Sequence, residues 1–335
     1  LMNAASVQVL TTLLLAKECG VEVDDQTLNN SLRFFYRFVG HGTVPYGDHR
    51  GEGGLGSNGK DGMLAAAMQV ASGATGDTEI YESARDYLSM SMITSYPSLA
   101  TGHGDNGRGD GIWRGLSASF LKDKQPDEYR AMLDRLTWWY DLSRYHNGAV
   151  GMATVRSFND PASGAAVAMT YTAPRKQLRI AGAPRSEHAV DFELPGKLWG
   201  RPADRVFHGI ENLPGFDEFG PEIEPHRLLR LLGNAYHRVD PQDSGVTRPQ
   251  LMQAIHHRRY MFRSQAAKVL RQAGELSIIE NLLRHPDPRV RRAGLDGITD
   301  WRYWFAMGKQ PLKTEQYTPG MIKRITGMIS DPDEA

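Results

Sequence analysis

The chain has 335 residues, with 39 basic and 39 acidic side chains, zero formal net charge and 40% hydrophobic residues. This length and composition suit one or two domains with a sizeable core and exclude disorder throughout, and the neutral charge balance argues against a nucleic-acid partner. Cys19 is the single cysteine, which excludes an internal disulfide and a zinc site with two or more cysteine ligands.

The start of the chain shows no membrane segment and no cleavable signal. The longest apolar run is well short of the roughly 18 residues that a bilayer-spanning helix needs, so we expect no membrane partner. The chain begins with Leu1 inside a helical pattern, as expected of a fragment or a processed form. The sequence does not indicate a cell compartment.

Helical patterns dominate the first half of the chain. Apolar residues recur at helical spacing over 5–17 and 25–39, for example at Leu28, Leu32 and Phe35. Acidic residues precede or open the next helices, where a carboxylate can cap free backbone N–H groups, and Asp61 and Asp110 are predicted caps. The further predicted helices cover 61–71, 78–92, 111–121 and 127–142.

Glycine is concentrated in two connections between these helices. Residues 40–62 hold nine glycines and residues 102–115 hold six. Both connections open with Gly-His-Gly and close with a basic residue followed by an acidic one near a helix start, and residues 145–152 resemble a third, degenerate copy. We interpret them as copies of one helix–loop–helix unit. Long ordered loops of this kind are often functional.

Four motifs give this half of the chain a resemblance to known proteins. They lie at 56–63 (Gly-Ser-Asn-Gly-Lys-Asp-Gly-Met), 102–104 (Gly-His-Gly), 139–144 (Trp-Tyr-Asp-Leu-Ser-Arg) and 171–175 (Tyr-Thr-Ala-Pro-Arg). The helical hairpins resemble the α/α toroid of terpenoid cyclases and protein prenyltransferases. Residues 30–185 resemble, more narrowly, a bacterial family of unknown function that carries this toroid, often after a PDZ-like module and before HEAT repeats. The resemblance implies a helical ring with its glycine-rich loops at one end, and no established reaction.

The chain departs from both enzyme groups. It lacks the Asp-x-Asp-Asp motif of the cyclases: Val23-Asp24-Asp25 does not form one, and Asp105 and Asp110 are too far apart in sequence. Cys19 lies in an early predicted helix rather than in a zinc-ligand loop. Terpenoid cyclisation is therefore disfavoured.

The middle of the chain changes character. Residues 167–172 and 177–180 are predicted to form a short strand pair, with a helix over 164–169 as the open alternative. Residues 181–221 are rich in glycine, proline and charge, which is typical of a linker or a covering segment.

Helical patterns return in the last third, over 226–237, 248–257, 261–273, 275–284 and 289–298. Residues 287–293 (Asp-Pro-Arg-Val-Arg-Arg-Ala) resemble the second-helix signature of HEAT repeats. The resemblance implies that Asp287 caps the helix, that Val290 and Ala293 face the core, and that Arg291 bridges to a neighbour. The predicted fold is therefore mainly α: an α/α toroid (helical-hairpin barrel) over 1–200, a linker over 201–224 and a C-terminal HEAT-like α-solenoid over 225–335.

The glycine-rich loop end carries the candidate site. Paired carboxylates, one with a raised pKa, suit hydrolase or lyase chemistry, and histidine can shuttle protons. The catalytic candidates are Asp48, Glu52, His103 and Asp105. The candidate ligand-binding residues are His41, Tyr46, His49, Lys60, Arg108, Trp113, Tyr145 and His146.

Each of these assignments has a plainer alternative. The loop histidines lack a metal-binding spacing and could be solvated groups bonded to backbone, and we predict no metal and no cofactor. Lys60 and Arg108 precede helix starts, where they could bind an anion or form a structural salt bridge. Trp138, Trp139 and Tyr140 are expected in the core or the barrel lining.

Two functions from different classes follow. The first is binding of a polar ligand or substrate at the loop end, with a carbohydrate or other polar polymer favoured and acid/base hydrolase or lyase activity as an addition. The alternative is a non-catalytic scaffold that binds protein partners, in part through the HEAT-like region. The basic stretches 256–260 and 289–292 indicate solvated surface or contacts to an acidic partner rather than nucleic acid.

Overall fold

The structure, a computed structural model, describes residues 3–42, 44–45, 59–94, 110–151, 161–198, 246–257, 260–298 and 317–328. These residues form twelve α-helices joined by turns and short 3-10 helices, with two isolated bridges in place of strands. The prediction of a mainly α protein is confirmed. The described residues fall into two compact units, 3–198 and 246–328. None of their helices has the length and apolarity to cross a membrane.

The first unit contains seven α-helices. Asp24 caps the second of them by accepting a hydrogen bond from Thr27 N at 2.7 Å, and hydrogen bonds with the Thr27 side chain and backbone lower the pKa of the Asp24 carboxyl. Gly42 ends the same helix at φ 76, a left-handed conformation that favours glycine. The helices are α1 (Asn3–Glu18), α2 (Asp25–His41), α3 (Lys60–Ala71), α4 (Glu79–Thr94), α5 (Asp110–Ala118), α6 (Pro126–Leu142) and α7 (Pro161–Thr172).

The predicted strand pair after residue 167 is wrong. Helix α7 continues to Thr172, and the residues that follow form 3-10 helices at Ala173–Arg175 and Arg179–Ala181. Ala166 and Thr170, one helical turn apart, are both buried, and Thr170 Oγ1 lies 2.9 Å from Tyr140 Oη on α6. This burial at helical spacing decides in favour of the helix that the sequence left as an alternative.

Helix α3 lies at the centre of the first unit. It packs against α1, α4 and α5, and eleven of its twelve residues are buried. Small side chains let these helices approach closely: a Cβ at Gly62 would lie 2.6 Å from Trp113 O on α5, and one at Gly115 would lie 2.6 Å from Thr170 Cα on α7.

We expect Gly62→Ala and Gly115→Ala to destabilise the protein by about 1–3 kcal/mol each, because the added methyl group meets neighbouring backbone that cannot rotate away. Gly164→Ala on α7 is the matched control, since nothing lies within 4 Å of its Cβ position, and there the higher helix propensity of alanine should be neutral or stabilising. Urea denaturation of the three variants checks this. Equal behaviour of all three would contradict the close helix packing.

The segment that follows the last 3-10 helix covers one side of the first unit. Val190 N donates to Glu18 O at the end of α1 at 2.8 Å, and Thr75 N, between α3 and α4, donates to Phe192 O at 2.9 Å. Tyr81 Oη donates to Pro195 O at 2.7 Å, and burial raises the pKa of this phenol. As far as residue 198, the segment therefore belongs to the first unit as a covering segment. The predicted domain boundaries at 200 and 224 lie outside the described residues and stay predictions.

The second unit contains five described helices around one apolar core. The predicted roles of residues 287–293 agree in part with its contacts: Asp287 Oδ1 accepts from Arg289 N at 2.8 Å, and Val290 and Ala293 are buried. Arg291, however, donates to His285 O and Pro286 O in the adjacent turn, at 3.1 and 2.8 Å. The helices are α8 (Arg248–Ile255), α9 (Tyr260–Gln272), α10 (Leu276–Leu282), α11 (Pro288–Ile298) and α12 (Pro319–Met328).

Candidate functional site

The flanks of the first glycine-rich segment meet at the start of α3. Val44 N, just after α2, donates to Asp61 Oδ1 at 2.8 Å. The other carboxylate oxygen of Asp61 lies 3.5 Å from Ser91 Oγ, in the last turn of α4. Asp61 thus joins both ends of the first segment to the helix that leads into the second one.

The flanks of the second glycine-rich segment lie at the same end. Arg114, in the second turn of α5, donates from Nη1 to Met92 O in the last turn of α4. The first turn of α5 also packs on the first turn of α3, through Trp113 O and Gly62. The described residues on both sides of both segments are therefore neighbours.

This end of the helices contains a group of buried polar residues, the loop-end cluster, which consists of Asn3, Lys60, Asp61, Ser91 and Arg114. Asn3 donates to Pro45 O at 2.9 Å. Lys60 and Asp61 are fully buried, and Arg114 is 1% exposed. Charged side chains are seldom buried to this extent unless they are paired, since desolvation disfavours the charged form. A low-dielectric environment also strengthens their interactions with one another and with any charge placed near them.

The prediction that Asp61 caps α3 is wrong. Gly59, at φ 72, occupies the cap position and has no side chain to bond the helix, and Asp61 lies inside the first turn. Its carboxylate accepts instead from Val44, 17 residues earlier in the chain. Asp61 therefore organises the ends of the glycine-rich segments rather than the start of its own helix.

The structure describes only part of the predicted site. Lys60 is the first residue of α3 and is fully buried, so its ammonium is positioned by the protein rather than solvated. His41 is the last residue of α2, and its side chain lies outside the described atoms. The predicted residues that lie outside the described ranges are Asp48, Glu52, His103, Asp105, Tyr46, His49 and Arg108.

Trp113 lies at the loop end, and Tyr145 and His146 lie in a tight turn after α6. Trp113 is half-buried against a small cluster that includes Ala66 and Leu116. Tyr145 N donates to Ala149 O at 2.8 Å, which closes a tight turn that holds Tyr145 half-buried and leaves His146 exposed. The turn, with Gly148 at φ 83, is a short antiparallel connection. Most of the two long segments lies outside the described residues, so the interpretation of 145–152 as a degenerate copy stays a prediction.

Sequence reasoning missed Asn3, Ser91 and Arg114. Arg114 had a usable signal, since it is the one charged residue within 111–121, an otherwise uncharged helical pattern. Asn3 and Ser91 gave none, because their partners lie far away in the chain. Among the described residues, no group of three or more histidine, cysteine or acidic side chains could hold a metal ion.

Comparison with known proteins finds one similarity. Residues 1–182 match the family described as Domain of unknown function (DUF6288). No curated protein and no solved structure matches the chain. The match confirms the resemblance to a family of unknown function, while the toroid, the HEAT repeats and a bacterial origin stay predictions.

Proposed function

The chain belongs to the DUF6288 family of domains of unknown function, and we propose that its first unit binds a polar ligand, with a carbohydrate or another polar polymer favoured, at the end where the two glycine-rich segments begin and end. The observation that carries this proposal is the position of Asp61, which contacts Val44 at one segment and Ser91 beside the other. Long segments anchored side by side can present their side chains to one ligand.

The loop-end cluster supports a polar ligand over an apolar one. Lys60, Asp61 and Arg114 are buried beside the residues that anchor the two segments. Because burial already fixes these charged side chains, ligand binding does not have to order them, and their electric field acts on the loop end. Trp113 adds an aromatic surface at the same end. The proposed α/α toroid would place these features at the mouth of a helical ring.

We further propose acid/base hydrolase or lyase chemistry at this site. Asp48, Glu52, His103 and Asp105 are its candidate residues, one as a general acid and another as a base or nucleophile. His41, Tyr46, His49, Lys60, Arg108, Trp113, Tyr145 and His146 are the proposed ligand-binding residues. Among these residues Lys60 is fully buried, so it acts on the ligand through the electric field of its charge.

A panel of neutral and charged oligosaccharides tests the proposal. We expect one class to bind the wild-type chain, and we expect Asp105→Ala and His103→Ala each to weaken binding about tenfold or more, the effect of losing a hydrogen bond to a charged group. His188→Ala is the control, since its side chain is 87% exposed on the covering segment. No binding by the wild type, or two silent loop variants, would contradict the proposal.

The alternative function is a non-catalytic scaffold that binds protein partners. One observation favours it: Trp138 and Leu142 on α6 are 57% and 69% exposed, one helical turn apart. The expectation that Trp138 lies in the core is therefore wrong, whereas Tyr140 on the same helix is buried as expected, at 3% exposure. The scaffold predicts that no oligosaccharide binds and that Trp138→Ser with Leu142→Ser reduces the capture of protein partners without loss of folding.

A further inference from the structure

Two histidines of the second unit face each other where α8 meets the turn between α10 and α11. The His256 and His285 rings lie 5.4 Å apart at an angle of 64°. His256 follows the last residue of α8, and His285 Nδ1 accepts a hydrogen bond from Asp287 N at 3.1 Å. This bond requires an unprotonated Nδ1 on His285.

The groups around this pair are mostly cationic. Arg263 on α9 is 2% exposed and donates to His257 O at 2.7 Å. Arg289 on α11 pairs with Asp287, with Nη2 to Oδ2 at 2.8 Å. The carboxylate of Asp287 attracts a proton on His256, but it is already engaged by Arg289. A proton on His256 would therefore add a further positive charge beside two guanidiniums.

We propose that protonation of His256 acts as an acid-sensitive release of α8 from the α10–α11 turn. This release needs no bound ligand, and it is independent of the function proposed for the first unit. It makes the packing of the second unit responsive to mildly acidic conditions, where imidazole is the side chain that ordinarily titrates.

The pH window follows from the electrostatics of the folded and unfolded chains. Burial lowers the pKa of His256, and His285, Arg289 and Arg263 lower it further, while Asp287 opposes them. An unfolded histidine titrates near 6.5. Since the unfolded state takes up the proton first, stability is lost as pH falls through about 6.5 and levels off below the folded pKa.

Asp287 does not titrate in this window. Burial raises the pKa of its carboxyl, but the hydrogen bonds and the charge of Arg289 outweigh burial and leave that pKa below its ordinary value. The carboxylate therefore stays ionised at pH 5.5 and does not contribute to the pH response.

Hydrogen exchange of the full chain at pH 7.5 and 5.5, corrected for the intrinsic pH dependence of exchange, tests the proposal. We expect α8 amides to exchange faster at pH 5.5, by up to about tenfold for each pKa unit of the shift. His256→Phe keeps a ring but cannot be protonated, so it should abolish the increase. His188→Phe, at an exposed position, should keep it.

A direct titration makes the test independent of how the variants fold. The nuclear magnetic resonance signal of the His256 ring should titrate below the 6.5 of a model histidine. A pKa of 6.5 or higher would overturn the proposal, and so would an unchanged pH response of α8 in His256→Phe. Should that variant fold poorly, His256→Gln gives a second neutral side chain for the same comparison.

Discussion

Asp61→Ala should destabilise the first unit by about 3–5 kcal/mol, the usual effect of removing one partner from a buried charged group. The variant deprives Val44 N of its acceptor at 2.8 Å and removes the carboxylate from beside Ser91. Each group that stays buried without a partner then pays its full desolvation penalty. Urea denaturation of the full chain, read by hydrogen exchange of α3 and α4 peptides, measures the loss.

Two further variants separate the charge of Asp61 from its hydrogen bonds. Asp61→Asn keeps an acceptor for Val44 N and loses the negative charge, so we expect an intermediate loss. Asp24→Ala is the matched control, since this aspartate is a true helix cap, with Thr27 N at 2.7 Å, in an exposed position. If Asp61→Ala costs no more than Asp24→Ala, Asp61 is only a helix-start residue and the loop-end cluster loses its organising group.

The same change bears on the proposed function. Val44 and Ser91 lie beside the two glycine-rich segments, so loss of Asp61 should release the anchors of both. We expect Asp61→Asn to weaken oligosaccharide binding even where the variant remains folded. This effect would separate an organising role at the site from a role in overall stability alone.

Local patterns in the sequence predicted most of the described helices. Apolar spacing located α1 to α6 and most of the helices of the second unit, because each needs one continuous buried face. The same reasoning failed at residue 167, where a short apolar run fits a strand as well as a helix. The buried contacts of Thr170, which decide the matter, come from α5 and α6.

The candidate site was less accessible to sequence reasoning because its contacts are non-local. An aspartate before an apolar run looks like a cap whether it bonds its own helix or, like Asp61, a segment 17 residues away. The His256–His285 contact likewise joins residues from two separate helical elements. What the glycine repeats did indicate is that the two segments are neighbours, since the described residues that anchor them lie together.

A buried ion pair joins the end of the first unit's described helices to its first helix. Arg179, after α7, donates from Nε to both carboxylate oxygens of Glu18 on α1, at 2.8 and 3.0 Å, across 161 residues of sequence. Its Nη2 donates to Val70 O at 3.2 Å, near the end of α3, where a cation also complements the helix dipole. Gly73 leaves room for the guanidinium, because a Cβ at this position would lie 2.0 Å from Arg179 Nη2.

We expect Arg179→Ala to destabilise the first unit by about 3–5 kcal/mol, because Glu18 would stay buried without its main cation. Arg179→Lys should recover little, since one ammonium cannot reach both Glu18 and Val70 O as the planar guanidinium does. Asp123→Ala is the control: it breaks an exposed 3.3 Å pair with Lys176 and should cost about 1 kcal/mol or less. A double-mutant cycle with Glu18→Gln measures the coupling. A coupling energy near zero would mean that Arg185, whose Nε lies 3.9 Å from Glu18, holds the carboxylate unaided, and that Arg179 acts only through the end of α3.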